Sequence, residues 1–235
     1  MIGNEVLSAK VADENGPFLL GRLRSMGIEV PRVVTVGDAI DEIVWGVQAL
    51  RGRCDWLFTT GGSGPTHDDV TVAAVAAALN RRVVRAPELE KLVSGYLGEN
   101  APAAAFRMAD VVEGSELVST EASRLPVLVV DRIVLLPGVP ALMRRQFEVI
   151  APRLQARPFL LRQVYLNATE PDIAAALDKV ALVHPRVAIG SYPTFERDAD
   201  HRVKLTIEGR DSGAVQAAFQ DILDAMPKGS VLRTV

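Results

Sequence analysis

Short runs of consecutive apolar residues, separated by segments of helical periodicity, fill the first two thirds of the chain. A strand that is covered on both faces carries such a continuous run, whereas a half-exposed strand alternates. The runs predicted as buried parallel strands are residues 32–36, 55–60 and 132–136. Helices are predicted at residues 17–26, 40–50, 70–79 and 140–154, and residues 88–118 read as a helix followed by a strand at 110–118. This alternation predicts an α/β fold built on a layered sheet.

The last third of the chain has a different pattern. After a predicted linker at residues 156–158, the predicted strands are 163–167, 186–191 and 202–208, and the predicted helices are 171–179 and 214–226. The strand at 202–208 alternates as a half-exposed strand does. The order βαββα predicts a small α+β domain. We therefore expect two domains, at residues 1–156 and 157–235.

Charge and composition exclude several classes of protein. The net charge is -3 at pH 7 and no basic block occurs, which argues against a nucleic-acid-binding protein. A single cysteine, Cys54, excludes a disulfide framework or a cysteine zinc site within the chain. The sequence shows no secretory signal and no apolar run long enough to span a membrane. We expect a cytoplasmic protein that acts on a small molecule, with no nucleic acid and no membrane as partner.

The stretch GGSGPTHDD, Gly61–Asp69, joins a predicted strand to a predicted helix. Ligands bind beyond the carboxyl ends of such strands, and a glycine-rich turn exposes backbone N–H groups to an anion. Asp68 and Asp69 would repel that anion unless a cation lay between them, as when Mg²⁺ binds one or two carboxylates plus phosphates. Asp69 alone is equally well explained as the N-cap of the helix. The stretch is neither a Walker loop nor a dinucleotide fingerprint, because no Gly-Lys-Ser/Thr follows and His67 takes the third glycine position.

Two further segments have a similar character. Pro137–Pro140 leads a strand into a helix and is explained as a plain connection, but it brings a second helix N-terminus to the same sheet edge. Near the chain start, Asn15 caps a helix or holds a ligand amide or hydroxyl. His67 is a metal ligand, a phosphate donor or a helix cap, and we favour phosphate contact or a supporting role over direct ligation.

Three stretches together resemble the molybdopterin-binding fold of molybdenum-cofactor biosynthesis proteins. The closer resemblance is to the N-terminal domain of the competence/damage-inducible protein A (CinA) family and of eukaryotic FAD synthases. The stretches are IGNEVLSAKVADENGPFLLGRLRSMGIEV, TTGGSGPTHDDVT and LLPGVP, and residues 167–209 are similar to the small second domain of the same proteins. The resemblance implies a three-layer α/β sandwich with a mostly parallel sheet, in a stand-alone form without the deamidase domain of full-length CinA proteins.

The resemblance also implies a metal-dependent pyrophosphatase for ADP-ribose, FAD or a related dinucleotide. It would use Co²⁺, Mg²⁺ or Mn²⁺ with potassium, as a homodimer or higher homo-oligomer. Asp68 and Asp69 would hold the metal and, with His67, act in catalysis. The residues expected to bind phosphate or line the pocket are Gly61, Gly62, Ser63, Gly64, Thr66, Asn4, Glu5, Asn15, Gly138 and Pro140. The alternatives are a protein that binds molybdopterin or adenylylated molybdopterin without hydrolysis, and a fold that acts only through protein contacts.

Two features depart from the family pattern. The family has most of a first strand before the segment MIGNE. Either Met1 lies downstream of the native start, or the sheet lacks a central strand, and we expect the former. Ala9 replaces the glycine of the usual Leu-Ser-Gly. If this position needs a positive φ, the alanine is strained by ~1 kcal/mol or more.

Overall fold

The computed structural model describes residues 1–98, 101–120, 125–154, 156–196 and 198–235. The chain divides into two units. The first is Met1–Arg24 with Glu29–Gln155, and the second is Ser25–Ile28 with Ala156–Val235. Across the described ranges, no helix is both long and apolar enough to cross a membrane.

The first unit alternates helices with short strands. Its helices are α1 (Asn4–Leu7), α2 (Asn15–Ser25), α3 (Ile40–Leu50), α4 (Thr71–Ala78), α5 (Pro87–Leu97) and α6 (Pro140–Ile150). Its strands are β1 (Leu57–Thr60), β2 (Val83–Arg85), β3 (Asp110–Val112), β4 (Glu116–Val118), β5 (Val127–Val130) and β6 (Ile133–Leu136). Short 3₁₀ segments lie at Ala103–Ala109 and Ala151–Arg153. The predicted helices are confirmed, with ends that shift by a few residues.

A four-stranded sheet lies at the centre of this unit, in the order β1-β6-β5-β4. Strands β1 and β6 are parallel, whereas the β6–β5 and β5–β4 pairs are antiparallel. The α/β class is confirmed, but the sheet is mixed rather than mostly parallel. The cause is the β5–β6 hairpin, whose turn residues Asp131 and Arg132 have φ of 47° and 62°. Two positive φ angles form a type I′ turn, which suits an antiparallel pair.

The chain start lies beside β1. The N–H of Ile2 donates to the Thr60 carbonyl at 2.9 Å, and Ile2 forms a parallel bridge with Val36. The strand predicted over residues 32–36 is therefore wrong in extent, because Val36 alone of these residues forms a bridge to a neighbouring segment. Val33 and Thr35 are exposed, so the segment lacks the burial on both faces that its apolar run had indicated.

Helices cover both faces of the central sheet. One face packs against α3 and α4 through a buried cluster that includes Ile43, Val75 and Ile133. On the other face, Phe147 of α6 is fully buried and its ring centroid lies 6.0 Å from that of Phe58 in β1. Every residue of β6 is buried, as its continuous apolar run predicted. Three layers therefore hold β1 and β6 in place, and with them the turns that follow these strands.

The second unit is a four-stranded antiparallel sheet with two helices. Its elements are β7 (Leu160–Leu166), α7 (Glu170–Val183), β8 (Ala188–Pro193), β9 (Val203–Gly209), α8 (Ser212–Ala225) and β10 (Val231–Thr234), and the strand order is β10-β7-β9-β8. The predicted βαββα order is confirmed, and β10 adds an edge strand that was not predicted. Strand β9 alternates buried and half-buried residues along its whole length, so one sheet face packs on α7 and α8.

Candidate functional site

Two turns and a short helix that follow neighbouring segments of the sheet meet at one edge of the first unit. The glycine turn follows β1, the Pro137–Pro140 turn follows β6, and α1 follows the chain start. The N–H of Gly61 donates to the Leu136 carbonyl at 3.2 Å. A Cβ on Gly138 would lie 3.4 Å from the Gly61 Cα, so these two turns are in close contact. This is the edge where ligands bind in open α/β sheets.

Gly61 and Gly62 have backbone conformations that favour glycine, with φ of 104° and 62°. A Cβ on Gly61 would collide with the Ile2 carbonyl, and one on Gly62 would collide with the Thr71 hydroxyl. Thr71, the first residue of α4, is fully buried and fixes the turn. Its Oγ1 donates to the Gly61 carbonyl at 2.8 Å, and its N–H donates to the Gly62 carbonyl at 2.9 Å.

The turn that this creates presents consecutive backbone donors. Among the described residues, the N–H groups of Gly62, Ser63 and Gly64 have no backbone carbonyl as partner. All three residues are half-buried. Successive N–H groups of this kind form a concave site for an anion. These three N–H groups are the donors that a phosphate cradle in this turn would use, and the cradle itself stays a prediction.

Asn15 connects the glycine turn to the second turn. Its Nδ2 donates to Thr60 Oγ1 and to the Gly138 carbonyl, both at 2.8 Å, and the Thr60 hydroxyl donates in turn to the Pro137 carbonyl at 3.0 Å. Because a carbonyl only accepts, these bonds fix the orientation of the amide. The Oδ1 atom is left buried without a partner among the described residues. A buried acceptor in this state is costly unless a donor reaches it.

Asn15 does not cap the helix from Pro17, which was one of its two interpretations. Helix α2 begins at Asn15 itself. The Asp13 carboxylate accepts hydrogen bonds from the N–H groups of Asn15 and Gly16, both at 3.0 Å. Asp13 therefore caps the helix, and the Asn15 side chain is directed to the turns.

The two aspartates of the glycine turn differ in their bonding. Asp69 Oδ2 accepts hydrogen bonds from the Thr66 N–H at 2.8 Å and from the Thr66 hydroxyl at 2.5 Å. Helix α4 begins at Thr71 after Val70, so Asp69 closes a turn within the loop and is not the N-cap of the helix. Asp68 is exposed, and the pKa of its carboxyl lies below the ordinary value, chiefly because of the nearby Thr66 hydroxyl and then its own backbone N–H. Its charge is therefore available to a ligand at neutral pH.

His67 is exposed and lies at the limit of ion-pair distance from Asp68. Its side chain is 95% exposed and its Nδ1 lies 3.9 Å from Asp68 Oδ1. Within the described part of the chain, no group of three or more His, Cys, Asp or Glu side chains could hold a metal ion. Asp68 and Asp69 are carboxylates of the kind that Mg²⁺ binds, one or two at a time, together with ligand phosphates.

The remaining predicted residues lie around the same edge. Asn4 opens α1, and its N–H donates to Asp38 Oδ2 at 3.0 Å. The exposed Glu5 carboxylate folds over Gly3. A Cβ on Gly64 would lie 2.6 Å from Asp69 Oδ2, so this glycine leaves room for the carboxylate. Pro140 is the first residue of α6 and contributes the fixed φ of a helix start.

Several residues of the site escaped the sequence interpretation. Thr60, Thr71, Asp13 and Asp38 hold the turns in place through the bonds described above; the first three lie in the stretches that carry the family resemblance but were given no role of their own. The fifth is Arg107, from the 3₁₀ segment Ala103–Ala109, whose Nη1 donates to the Thr66 carbonyl at 3.4 Å. Nothing in the sequence around Arg107 indicated this contact, since 41 positions separate the two residues.

Family models match both parts of the chain. Residues 1–156 match the family model described as "Probable molybdopterin binding domain". The chain belongs to this molybdopterin-binding domain family. Residues 158–235 match the model described as "FAD synthase, middle domain". The two matches meet between the two units of the structure.

Relatives similar to most of this chain occur in archaea, bacteria and animals. A protein of Archaeoglobus fulgidus is 32% identical over 95% of this chain and 96% of its own length. A probable FAD synthase of Caenorhabditis elegans is 28% identical over 96% of this chain, and a CinA-like protein of Fervidobacterium nodosum is 29% identical over 89% of it. The chain spans 49% and 54% of the lengths of these last two.

A solved structure supports the fold of the first unit. The crystal structure of CinA from Thermoplasma acidophilum, a protein titled as of unknown function, superposes with a TM-score of 0.59 at 25% identity. The superposition covers 65% of this chain and 93% of that one. The resemblance to the molybdopterin-binding and CinA-like proteins that the sequence motifs carried is therefore confirmed.

Proposed function

We propose that this protein hydrolyses the phosphoanhydride bond of ADP-ribose, FAD or a related dinucleotide with the help of a divalent metal ion. The glycine turn carries the proposal, because it contains three consecutive N–H groups without backbone partners among the described residues, together with the exposed Asp68 carboxylate, at the sheet edge where ligands bind in open α/β folds. Its relatives include probable FAD synthases and CinA-like proteins, which fits a nucleotide ligand.

The residues of the turn have separate roles in this proposal. The N–H groups of Gly62, Ser63 and Gly64 bind the diphosphate, and the buried Asn15 Oδ1 accepts a hydrogen bond from an N–H or O–H of the ligand once it is reached. Asp68 and Asp69 would hold the divalent ion, which supplies charge neutralisation and lowers the pKa of a water. The water oxygen forms a bond to one phosphorus while the bridging P–O bond breaks, the bridging oxygen leaves with the other phosphate, and the protons of the water pass to solvent. ADP-ribose then gives AMP and ribose 5-phosphate.

Other parts of the interpretation remain predictions. They are a role for His67 in contact with phosphate, activation by potassium, a homo-oligomeric assembly and a cytoplasmic location.

A second function is favoured by one observation. Asp69 Oδ2 is already engaged by Thr66, so Asp68 is the carboxylate of the loop that is freer to take part in chemistry. A carrier that binds molybdopterin or adenylylated molybdopterin without hydrolysis needs the N–H cradle but not two free carboxylates. The family description of the first unit agrees with this alternative.

Product release separates the two functions. Purified protein is incubated with ADP-ribose or FAD and Mg²⁺, Mn²⁺ or Co²⁺, with and without K⁺, and AMP is measured by chromatography. We expect metal-dependent release of AMP that Asp68→Ala and Asp69→Ala abolish. The isosteric Asp68→Asn should reduce turnover by roughly 100-fold or more, because the charge is lost while the volume is kept.

The second unit offers a matched control. The Thr169 N–H and hydroxyl donate to Asp172 Oδ2 at 2.9 and 2.6 Å, the same pair of bonds that Thr66 makes to Asp69. Asp172→Ala therefore removes an equivalent turn and should leave AMP release unchanged. Absence of turnover with every metal, together with retained binding of nucleotide or pterin, would overturn the hydrolase and favour the carrier.

A further inference from the structure

Arg107 brings a positive charge to the rim of the glycine turn from a distant part of the chain. It is exposed and lies in the 3₁₀ segment Ala103–Ala109, which leads into β3. One of its guanidinium N–H groups donates to the Thr66 carbonyl, at the long distance of 3.4 Å. A guanidinium carries five N–H donors, so most of them stay available at this position.

No carboxylate in the described part of the chain neutralises the charge of Arg107. Three other arginines of the first unit each have a carboxylate partner at 2.8 Å or less: Arg81 with Asp131, Arg82 with Glu113 and Arg85 with Asp110. Among the described residues, Arg107 has no carboxylate within ion-pair distance. This holds although Asp68 and Asp69 belong to the same loop that its guanidinium contacts. An unpaired cation that touches the loop by a single weak hydrogen bond is free to bind an anion held there.

A diphosphate in this loop needs such a cation. The N–H groups of the turn are neutral dipoles, and the two aspartates raise the negative potential around them. A guanidinium offers a planar, permanently charged pair of donors that matches phosphate oxygens. We propose that Arg107 binds the diphosphate of the ligand held by the glycine turn and gives this site its preference for phosphorylated ligands. The inference rests on the proposed function, whose ligand class it specifies.

Binding measurements test this role without turnover. Kd values for ADP-ribose, AMP and adenosine are measured by calorimetry in EDTA and again with Mg²⁺, for the wild type, Arg107→Ala, Arg107→Gln and Arg107→Lys. Arg107→Ala should weaken ADP-ribose binding by roughly 10-fold or more and adenosine binding little, because adenosine has no phosphate. The dependence of log Kd on log salt should also become shallower.

Two variants separate charge from loop support. Arg107→Gln retains a donor for the Thr66 carbonyl but no charge, so it should behave as Arg107→Ala does. Arg107→Lys retains the charge without the fork and should restore part of the affinity. Arg53→Ala is the matched control. Arg53 is exposed and precedes β1, whereas the glycine turn follows that strand, so the same loss of charge should leave every Kd unchanged.

The outcomes distinguish this inference from the proposed function. Equal affinity of wild type and Arg107→Ala for ADP-ribose would overturn the role of Arg107 and leave the proposed function intact. An equal loss for ADP-ribose and adenosine, or full affinity in Arg107→Gln, would show that the side chain only supports the loop. A wild type that binds none of the three ligands in either condition would overturn both.

Discussion

Ala9 holds a backbone conformation that its side chain disfavours. Its φ is 56°, which meets the condition under which the replacement of glycine at this position was expected to cost stability. Ala9→Gly should stabilise the first unit by about 0.5–1 kcal/mol, since the relief of left-handed strain exceeds the extra freedom that glycine gives the unfolded chain. Trp45 and Trp56 both lie in this unit, so their fluorescence in a urea titration reports its unfolding.

An Ala→Gly substitution at another position should change the free energy of unfolding in the opposite direction. Ala77 is exposed on α4, where an alanine is the best helix former. Ala77→Gly should lower the free energy of unfolding by about 1 kcal/mol in the same titration. A loss of stability in Ala9→Gly, like that in the control, would show that the methyl group at position 9 contributes more through contacts than it costs through strain.

At the site, the sequence indicated the glycine turn, Asn15 and the Pro137–Pro140 turn, because glycine, proline and asparagine are typical of particular local backbone conformations. The hydrogen bonds that join these segments could not be predicted from the sequence. Asn15 lies 45 positions from Thr60 and 123 from Gly138. Such contacts depend on the register of the sheet, which puts the ends of β1 and β6 side by side.

Among the elements, α7 has a start that depends on pH. Asp172 in its first turn accepts hydrogen bonds from Thr169, and the pKa of Asp172 is lowered first by the Thr169 hydroxyl and then by the Thr169 N–H. A folded-state pKa below the unfolded value, about 4 for Asp, means that the stabilisation is complete above that value and is lost as pH falls through the folded pKa. We expect Asp172→Asn to reduce amide-exchange protection of α7 at pH 7.

That difference should shrink as the pH falls from about 4, the pKa of Asp in the unfolded chain, towards the lower folded-state pKa of Asp172, below which the wild-type carboxyl is also neutral. Exchange is compared at the same pH by mass spectrometry of peptides from Glu170–Val183. Thr169→Ala should cost about 1 kcal/mol at neutral pH through loss of the N-cap. A difference between wild type and Asp172→Asn that stays constant down to pH 3 would contradict the assignment of this pH dependence to Asp172.

Elements with strong periodicity could be predicted, and elements defined by pairing could not. Helix α3 was predicted at residues 40–50, where it is found, and β9 was recognised from its alternation. The hairpin at Asp131 and Arg132 was missed because neither turn residue is glycine or asparagine, although both have positive φ. Burial on both faces suggested parallel strands, but helices on both faces bury antiparallel strands equally well.

Over the whole molecule, the buried clusters of the two units are made of separate sequence segments. The buried cluster of the second unit comes from residues 164–226, and one buried cluster of the first comes from residues 2–135. Leu205 of β9 is fully buried in the second core. Leu205→Ala should lower the opening free energy of amides in β7 and β9 by about 2–5 kcal/mol, because it leaves a cavity in a close-packed interior.

If each core stabilises only its own unit, the loss of stability in Leu205→Ala should be confined to the second unit. The midpoint of the tryptophan-monitored urea transition, which reports the first unit, should not change in Leu205→Ala, and neither should the Kd for ADP-ribose. Leu182→Ala is the matched control, since this leucine is 82% exposed on α7 and its loss should change stability by less than about 0.5 kcal/mol. Phe147→Ala, in the first unit, should lower the midpoint of the tryptophan-monitored urea transition, which Leu205→Ala should leave unchanged. A fall of that midpoint in Leu205→Ala would mean that the two units unfold as one, and that the second unit stabilises the ligand site.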